Sequence, residues 1–224
     1  MAGRGFPLVT GEYYHVFNRG VARQPTFIST SNYKQAILAL NYYRYLKPPV
    51  KLSKFKKLSL AERQKILNQK IMAGENLVDI VSFVLMPNHF HFLLRQAVDG
   101  GISKYISQFT NSYTRYFNTK NNRPGPVFQG VFKAVHVETG EQLLHLSRYI
   151  HLNPYVSSVI KKEKLDTYLW SSLPQYLKGG SPELETKIIL SQFTKVFSYR
   201  EFVFNHSDYA RELEIVKHLI LDIE

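Results

Sequence analysis

Two histidines separated by one residue are the strongest chemical signal in the sequence. His89 and His91 lie in an apolar run from Val81 to Arg95 that is rich in β-branched and aromatic residues. This composition is typical of a buried strand, which a turn at residues 86–88 interrupts. Because side chains alternate along a strand, both imidazoles share one face. Such a pair can ligate a metal ion, although two hydrogen-bonded histidines without a metal fit the same spacing.

A tyrosine and an asparagine form a second candidate pair, on a predicted helix. Thr139 and Gln142 match the capping box that opens a helix, and the pair Asn153-Pro154 is predicted to end it. At 100° per residue, Tyr149 and Asn153 lie about 40° apart around this helix and roughly 6 Å apart along it. A phenol and an amide therefore face the same neighbourhood, as two ordinary residues at the edge of a buried stripe also would.

The composition indicates a globular protein with a polyanionic partner. Lys and Arg number 29 against 17 Asp and Glu, so the net charge of the 224 residues is +12. This excess favours binding to nucleic acid or to an anionic membrane surface. The absence of cysteine excludes disulfides, thiolate metal sites and a cysteine nucleophile. No apolar run of membrane-spanning length and no signal-peptide core occurs, which leads us to expect a soluble intracellular protein. Of the two anionic partners, we expect nucleic acid and no membrane.

Basic side chains that can contact a nucleic-acid backbone occur at several places. Arg19 follows the first predicted strand, and a lysine-rich run lies between two predicted helices. A solvated surface explains such residues equally well. The candidate DNA contacts are Arg19, Lys51, Lys54, Lys56, Lys57, Arg115, Arg123, Lys133 and Arg148.

The order of the predicted elements indicates an α+β fold. Strands are predicted at 11–17, 76–85, 89–96 and 127–137, and helices at 33–47, 59–72, 102–119 and 139–153. The first helix is predicted to begin at a cap formed by Ser31 or Asn32. Residues 50–75 are predicted to form an inserted basic helical arm. Without this arm, the first six elements follow the ferredoxin-like β-α-β-β-α-β pattern, an antiparallel sheet with helices on one face. Residues 1–180 are predicted to form the main domain, and 181–224 a helical extension that ends in an amphipathic helix at about 209–221.

Several motifs together resemble the single-tyrosine HUH transposases, and most closely the branch associated with repetitive extragenic palindromes (REP). The strongest are Leu85-Met-Pro-Asn-His-Phe-His-Phe-Leu-Leu94 and Ser147-Arg-Tyr-Ile-His-Leu-Asn-Pro154. The stretches Tyr14–Gly20, Val127–Lys133 and Trp170-Ser-Ser are also similar. The resemblance covers about residues 11–175 and leaves the 50–75 arm and the residues after 181 unassigned.

The resemblance implies a metal-dependent endonuclease and strand transferase that acts on single-stranded or hairpin DNA. It implies that Tyr149 is the nucleophile, which forms a 5′-phosphotyrosine, and that His89, His91 and Asn153 hold Mg²⁺ or Mn²⁺. Related insertion-sequence transposases commonly carry glutamine at the position of Asn153, and Zn²⁺ is also compatible with these ligands. The rival tyrosines Tyr105, Tyr113 and Tyr116 lie on the helix after the histidines. A cytoplasmic, nucleoid-associated protein of a prokaryote is expected, either a monomer or a homodimer.

Two other functions are compatible with the same residues. The first is a ferredoxin-like nucleic-acid-binding protein without catalysis, in which aromatic side chains such as Tyr14 and Phe17 stack on bases. The second is a histidine-ligated metalloenzyme that acts on a small molecule. A covalent adduct at Tyr149 would separate catalysis from binding, and the net charge of +12 argues against a small-molecule enzyme.

Overall fold

The computed structural model describes residues 7–205. Its centre is a four-stranded antiparallel sheet with the strand order β2-β3-β1-β4. This is the strand order of the ferredoxin-like fold that the sequence predicts. The strands are β1 (Tyr13–Arg19), β2 (Val78–Met86), β3 (His89–Gln96) and β4 (Lys133–Val137).

Helices flank the sheet and make up the arm and the C-terminal segments. The α-helices of the described residues are α1 (Thr30–Tyr43), α2 (Leu52–Phe55), α3 (Leu60–Ala73), α4 (Gly101–Asn121), α5 (Gly140–Val156), α6 (Leu173–Tyr176), α7 (Lys187–Leu190) and α8 (Val196–Phe204). Two short 3₁₀ helices lie at Val21–Arg23 and Lys162–Thr167. None of these helices has the length and apolar character that crossing a membrane requires.

The first face of the sheet is an aromatic core covered by α1 and α4. Phe90 and Phe92 of β3 point to this face and stack on each other, with ring centroids 4.5 Å apart. Phe109 of α4 meets both rings edge to face, at 5.3 and 5.4 Å. The apolar residues of α4 recur at three and four positions and are buried here, which confirms the predicted placement of two helices on one face.

The second face is covered by α5 and by the segments that follow it. The capping box of Thr139 and Gln142 is confirmed, with each side chain bonded to the other residue's backbone. Leu143, Leu146 and Ile150 of α5 pack against this face. Because α5 lies on this face alone, its side chains meet the strand residues that alternate with Phe90 and Phe92.

Several predicted boundaries were wrong, among them the end of the first helix, which lies at Tyr43 and not near residue 47. Helix α1 is capped by Ser29, whose side chain accepts a hydrogen bond from the Asn32 backbone, and so it begins before the predicted cap at Ser31 or Asn32. Strand β4 begins at Lys133, because residues 127 and 128 pair instead with the turn after β1. Helix α5 continues to Val156 with Pro154 inside it. A proline removes one backbone donor, and in the last turn the helix tolerates this loss.

The described part of the predicted C-terminal extension shares the core of the main domain. The backbone N–H of Glu185 donates to Ile80 of β2 at 2.9 Å, and Tyr199 of α8 is buried in the second core. Residues 170–172 also bond to β2, so its outer edge is covered. The amphipathic helix predicted at 209–221 lies outside the described residues.

The predicted basic arm contains two helices, α2 and α3. Ser59 and Glu62 form the predicted capping box at the start of α3. None of the α3 residues is fully buried, whereas Leu52 and Phe55 of α2 are. The arm is therefore attached to the first core mainly through α2, and α3 adds only partly buried side chains such as Ile66 and Leu67.

Candidate functional site

The two predicted metal ligands lie together on the second face of the sheet. His89 and His91 have their ring centroids 5.0 Å apart. In the pairing of β1 with β3, His89 stands opposite Arg19 and His91 opposite Phe17. His91 is fully buried and His89 is half-buried. The structure therefore confirms that the two imidazoles share one face.

Each of these histidines has a hydrogen-bonding partner at Nδ1. The Nδ1 of His89 is 2.6 Å from Asn88 Oδ1, and the Nδ1 of His91 is 2.9 Å from the Nε2 of His15. The Nε2 of His91 is buried and makes no hydrogen bond. A metal-binding imidazole characteristically donates its other ring nitrogen to a neighbour in this way.

Burial holds both rings in the neutral form. Loss of solvation lowers the pKa of His89 to about 4. A hydrogen bond with the Asn153 side chain raises this pKa, whereas the charge of Arg19 lowers it further. Burial also lowers the pKa of His91 well below its ordinary value, and the neighbouring His89 and His15 add to this effect. Neutral imidazole is the form that binds a metal ion.

Helix α5 brings the predicted nucleophile and third ligand to the histidines. The ring of Tyr149 meets the ring of His91 edge to face, with centroids 5.7 Å apart. Asn153, one turn further along α5, hydrogen-bonds His89 and accepts a 3.3 Å bond from Ser157 Oγ at Oδ1. The structure thus brings together all four side chains that the sequence places in the site.

The donor set fits a divalent cation that keeps open positions. Two neutral imidazoles and one amide oxygen supply at most three protein ligands. The Nε2 of His91, which has no hydrogen-bonding partner, is the atom to which a metal would bind. Within residues 7–205, no cluster of three or more His, Cys, Asp or Glu side chains could hold a metal. The remaining positions on the cation would therefore be filled by water or phosphate oxygens, as Mg²⁺ and Mn²⁺ allow.

A cavity of about 220 Å³ opens beside the histidines. Its lining contains His89, His91 and three basic side chains, with no carboxylate. Two of the three, Arg19 and Lys133, are predicted DNA contacts, and the third is Arg23. Gly20 permits the tight turn that carries Arg23, because a Cβ at this position would lie 2.2 Å from the Gln24 carbonyl oxygen. The cavity is consequently suited to a phosphate group near the histidine pair.

A much larger groove of about 1330 Å³ lies between the arm and α4. It belongs to the side of the molecule covered by α1 and α4, and its lining also contains no carboxylate. Tyr116 contributes an aromatic ring, with Lys56 Nζ 5.4 Å from its centroid. Five predicted DNA contacts meet here, joined by Lys120. The basic side chains of the groove are Lys51, Lys54, Lys56, Lys57, Arg115 and Lys120.

The remaining two basic candidates lie elsewhere. Arg123 lies on the loop after α4 and donates to the carbonyl of Pro126 at 3.2 Å. The prediction that Arg148 contacts DNA was wrong, because this residue is only 3% exposed. Its guanidinium donates to the Phe202 carbonyl at 3.0 Å and lies over the Phe202 ring. Arg148 therefore attaches α8 to α5.

The rival tyrosines do not approach the histidines. Tyr105 and Tyr113 are buried in the first core and donate to the carbonyls of Leu40 and Thr26. Tyr116 lines the basic groove. All three lie on α4, which covers the face of the sheet opposite to His89 and His91.

Sequence reasoning missed His15 and Arg23 as members of the site. His15 lies within the Tyr14–Gly20 stretch that carries the resemblance, yet a single histidine in an apolar strand gives no signal by itself. The antiparallel pairing of β1 with β3 would have supplied one, because it places Phe17 opposite His91 and therefore His15 on the same face. Arg23 reaches the cavity through a turn whose geometry the sequence does not encode locally.

Comparisons with known proteins agree with this picture. Residues 53–153 match the family model described as "Transposase IS200 like", a segment that includes residues 53–75 of the arm, α4 and the Tyr149 helix. No curated protein matches the chain. Among solved structures, a REP-associated tyrosine transposase bound to a REP hairpin is 14% identical, with a TM-score of 0.52 over 82% of this chain and 90% of that one. The resemblance to tyrosine transposases that the sequence predicts is thus confirmed by a family match across residues 53–153 and by the fold.

Proposed function

We propose that this chain is a metal-dependent single-stranded DNA endonuclease and strand transferase that acts through a 5′-phosphotyrosine at Tyr149. The observation that carries the proposal is the meeting of Tyr149 and Asn153 with His89 and the unsatisfied Nε2 of His91. A nucleophile, a neutral ligand pair and a basic cavity then adjoin one another. A buried ring nitrogen without a partner is costly, and a bound metal would remove that cost.

The reaction follows from the roles of these side chains. The Tyr149 oxygen attacks the scissile phosphorus as the phenol loses its proton, and the bond from phosphorus to the 3′ oxygen breaks. The products are a 5′-phosphotyrosine and a 3′-hydroxyl that has gained a proton. A phenol is a weak nucleophile at neutral pH, so the target phosphate must be activated. A divalent metal held by His89, His91 and Asn153 would polarise that phosphate and offset the developing charge.

Rejoining is the reverse of cleavage. Attack of a 3′-hydroxyl on the phosphotyrosine restores a phosphodiester and frees the phenol, with one ester bond formed for each one broken. Arg19, Arg23 and Lys133 line the cavity beside the histidines and would hold the phosphate and the flanking strand during both steps. No nucleotide hydrolysis is required.

The basic groove supplies the second part of the substrate-binding surface. Six positive side chains and no carboxylate suit the backbone of a duplex stem, and Tyr116 offers a ring for stacking. The loop that follows α4 leads from the groove towards the cavity and carries Arg123. The solved structure with a similar fold is bound to a REP hairpin, so a hairpin with a single-stranded flank is the substrate to test first. The expected place of action is the chromosomal DNA of a prokaryotic cell.

The proposal predicts cleavage that depends on a divalent metal and on the histidine pair. Short inverted repeats flanking the gene would supply the hairpin oligonucleotides. We expect cleavage in Mg²⁺ or Mn²⁺ and none in EDTA. The double variant His89→Ala/His91→Ala should lose cleavage and Mn²⁺ binding by at least about 100-fold, because two of three ligands are removed. Calorimetry measures the binding, and denaturing gels measure the cleavage.

His136→Ala is the matched control. His136 lies on β4, pairs with Glu12 at 2.9 Å and is outside the cavity lining, so its loss should leave cleavage unchanged. Mn²⁺ binding that persists in the double variant would contradict the metal site. Hairpin binding by the wild-type protein without cleavage in any divalent metal would favour the non-catalytic binding protein instead.

A further inference from the structure

A third buried histidine adjoins the candidate metal ligands. His15 of β1 and His91 of β3 are both completely inaccessible to solvent. The Nε2 of His15 lies 2.9 Å from the Nδ1 of His91, and the rings are close to parallel, with an interplanar angle of 20°. The His15 ring also lies 6.3 Å from the Tyr149 ring. Since His15 cannot touch DNA, any contribution to the reaction must act through its neighbours.

The hydrogen bond between these two neutral rings has two arrangements with different consequences. If His15 donates from Nε2, the Nδ1 of His91 accepts, and the proton of the neutral His91 ring sits on Nε2. That nitrogen then has no lone pair for a metal and becomes a buried donor without a partner. If His91 donates from Nδ1, its Nε2 keeps the lone pair. Only the second arrangement permits His91 to bind a metal.

We propose that His15 is a positioning residue that accepts the Nδ1–H of His91 and so keeps the Nε2 lone pair of His91 directed into the metal site. The proposal rests on the function proposed above. It assigns to His15 the role that a carboxylate or a carbonyl commonly has next to a metal-binding histidine. His89 has a parallel arrangement, because Asn88 Oδ1 lies 2.6 Å from its Nδ1. Both ligands are thus oriented from the Nδ1 side.

The packing around His15 supports a fixed orientation. Its ring lies 4.8 Å from the ring of Phe17, which in turn is 5.6 Å from the ring of His91. Because β1 and β3 are adjacent antiparallel strands, the backbone holds the three rings in register. His15 therefore fixes both the tautomer and the rotation of the His91 ring before any ligand arrives.

The first test reads the tautomer directly in the metal-free protein. Nitrogen-15 NMR of labelled histidine distinguishes protonated from unprotonated ring nitrogens. We expect His91 to carry its proton on Nδ1 in the wild-type protein. In His15→Leu, which removes the acceptor, the proton should redistribute towards Nε2. Wild-type His91 protonated on Nε2 would overturn the proposal, whatever the protein does with DNA.

The second test measures Mn²⁺ affinity by calorimetry in two variants. His15→Leu should weaken binding by about 10- to 100-fold, the usual effect of removing a partner of a metal ligand. His15→Gln places an amide oxygen near the former Nε2 position and should restore binding to within about threefold of wild type. Circular dichroism checks that both variants are folded. If His15→Leu does not fold, the tautomer measurement and the glutamine variant decide alone.

The outcomes separate this proposal from the proposed function. Unchanged Mn²⁺ affinity in a folded His15→Leu, with wild-type affinity intact, would overturn the role of His15 and leave the metal site standing. Absence of Mn²⁺ binding in the wild type would refute the metal site. Equal losses in the leucine and glutamine variants would show that the packing of His15 matters and its hydrogen bond does not, which also contradicts the proposal.

Discussion

His91 and His151 are both fully buried on the second face of the sheet, yet their surroundings differ. His151 lies on α5 and has partners at both ring nitrogens: the Tyr199 hydroxyl at 2.7 Å from Nδ1 and the Ser172 hydroxyl at 2.7 Å from Nε2. His91 has a partner at Nδ1 alone. One region is a closed polar cluster, and the other retains one nitrogen that can bind a ligand.

The comparison shows that burial and pKa alone do not distinguish a histidine with a structural role from a candidate metal ligand. Burial lowers the pKa of both rings, to about 3 for His151. What differs is the number of satisfied nitrogens, because a buried donor or acceptor without a partner is costly and a bound ligand would offset that cost. His151 connects α5 to α8 and to the segment beside β2, whereas His91 faces Tyr149 and the cavity.

Removing His151 is the change with the largest expected effect on stability. His151→Ala leaves a cavity and deprives two buried hydroxyls of a partner, so we expect a loss of about 2–4 kcal/mol in the free energy of unfolding. Urea denaturation measures this loss. In the protein that remains folded, Mn²⁺ affinity should stay within about threefold of wild type, since His151 is no ligand.

The opposite result would contradict the structural role assigned to His151. A His151→Ala variant that kept its stability but lost Mn²⁺ binding would place His151 in the metal site and not in the structural cluster. His151→Gln is the companion variant, because its amide can retain one of the two hydrogen bonds and should recover part of the lost stability.

Basic side chains also differ in burial, and removing the exposed ones is expected to change DNA binding by a smaller amount. Arg148 is buried against α8, whereas Lys51, Lys54 and Lys57 are exposed in the groove. Replacing these three lysines with alanine should weaken hairpin binding and flatten the plot of log K against log salt. The slope should fall by about 0.7–0.9 for each phosphate that the variant no longer neutralises. Fluorescence anisotropy over a salt series measures both quantities.

A matched control removes the same charge elsewhere. Lys161, Lys164 and Lys187 are exposed in the C-terminal segments, outside both basic surfaces. Their replacement with alanine lowers the net charge equally and should leave the slope nearly unchanged. Equal slopes for the two triple variants would mean that the groove lysines are a solvated surface.

Local patterns in the sequence predicted much of the fold. The capping boxes at Ser59 and Thr139 and the bounds of β3 were right, because each depends on residues close in the chain. Alternation along β3 was enough to place both histidines on one face. Pro154 misled the prediction of the helix end because its effect depends on its position within the last turn.

Interactions between distant segments could not be predicted in this way. The pairing of His15 with His91 joins residues 76 positions apart, and it depends on which strands are neighbours in the sheet. The sequence predicts a surface position for Arg148, whose burial is caused by α8, more than fifty residues downstream. Local patterns therefore identified the histidine pair and placed Tyr149 near Asn153, and the resemblance to the tyrosine transposases implied their roles. The structure was needed to show that His15 lies beside His91.

The most direct test of the central claim locates the covalent bond between the protein and DNA. The wild-type protein is incubated with a hairpin oligonucleotide and Mn²⁺, and the adduct that survives a denaturing gel is digested for mass spectrometry. We expect the nucleotide on the peptide that contains Tyr149. Tyr149→Phe should bind the hairpin and Mn²⁺ and form no adduct, since it lacks only the hydroxyl. A modified Tyr105, Tyr113 or Tyr116, or an adduct that persists in Tyr149→Phe, would contradict the account.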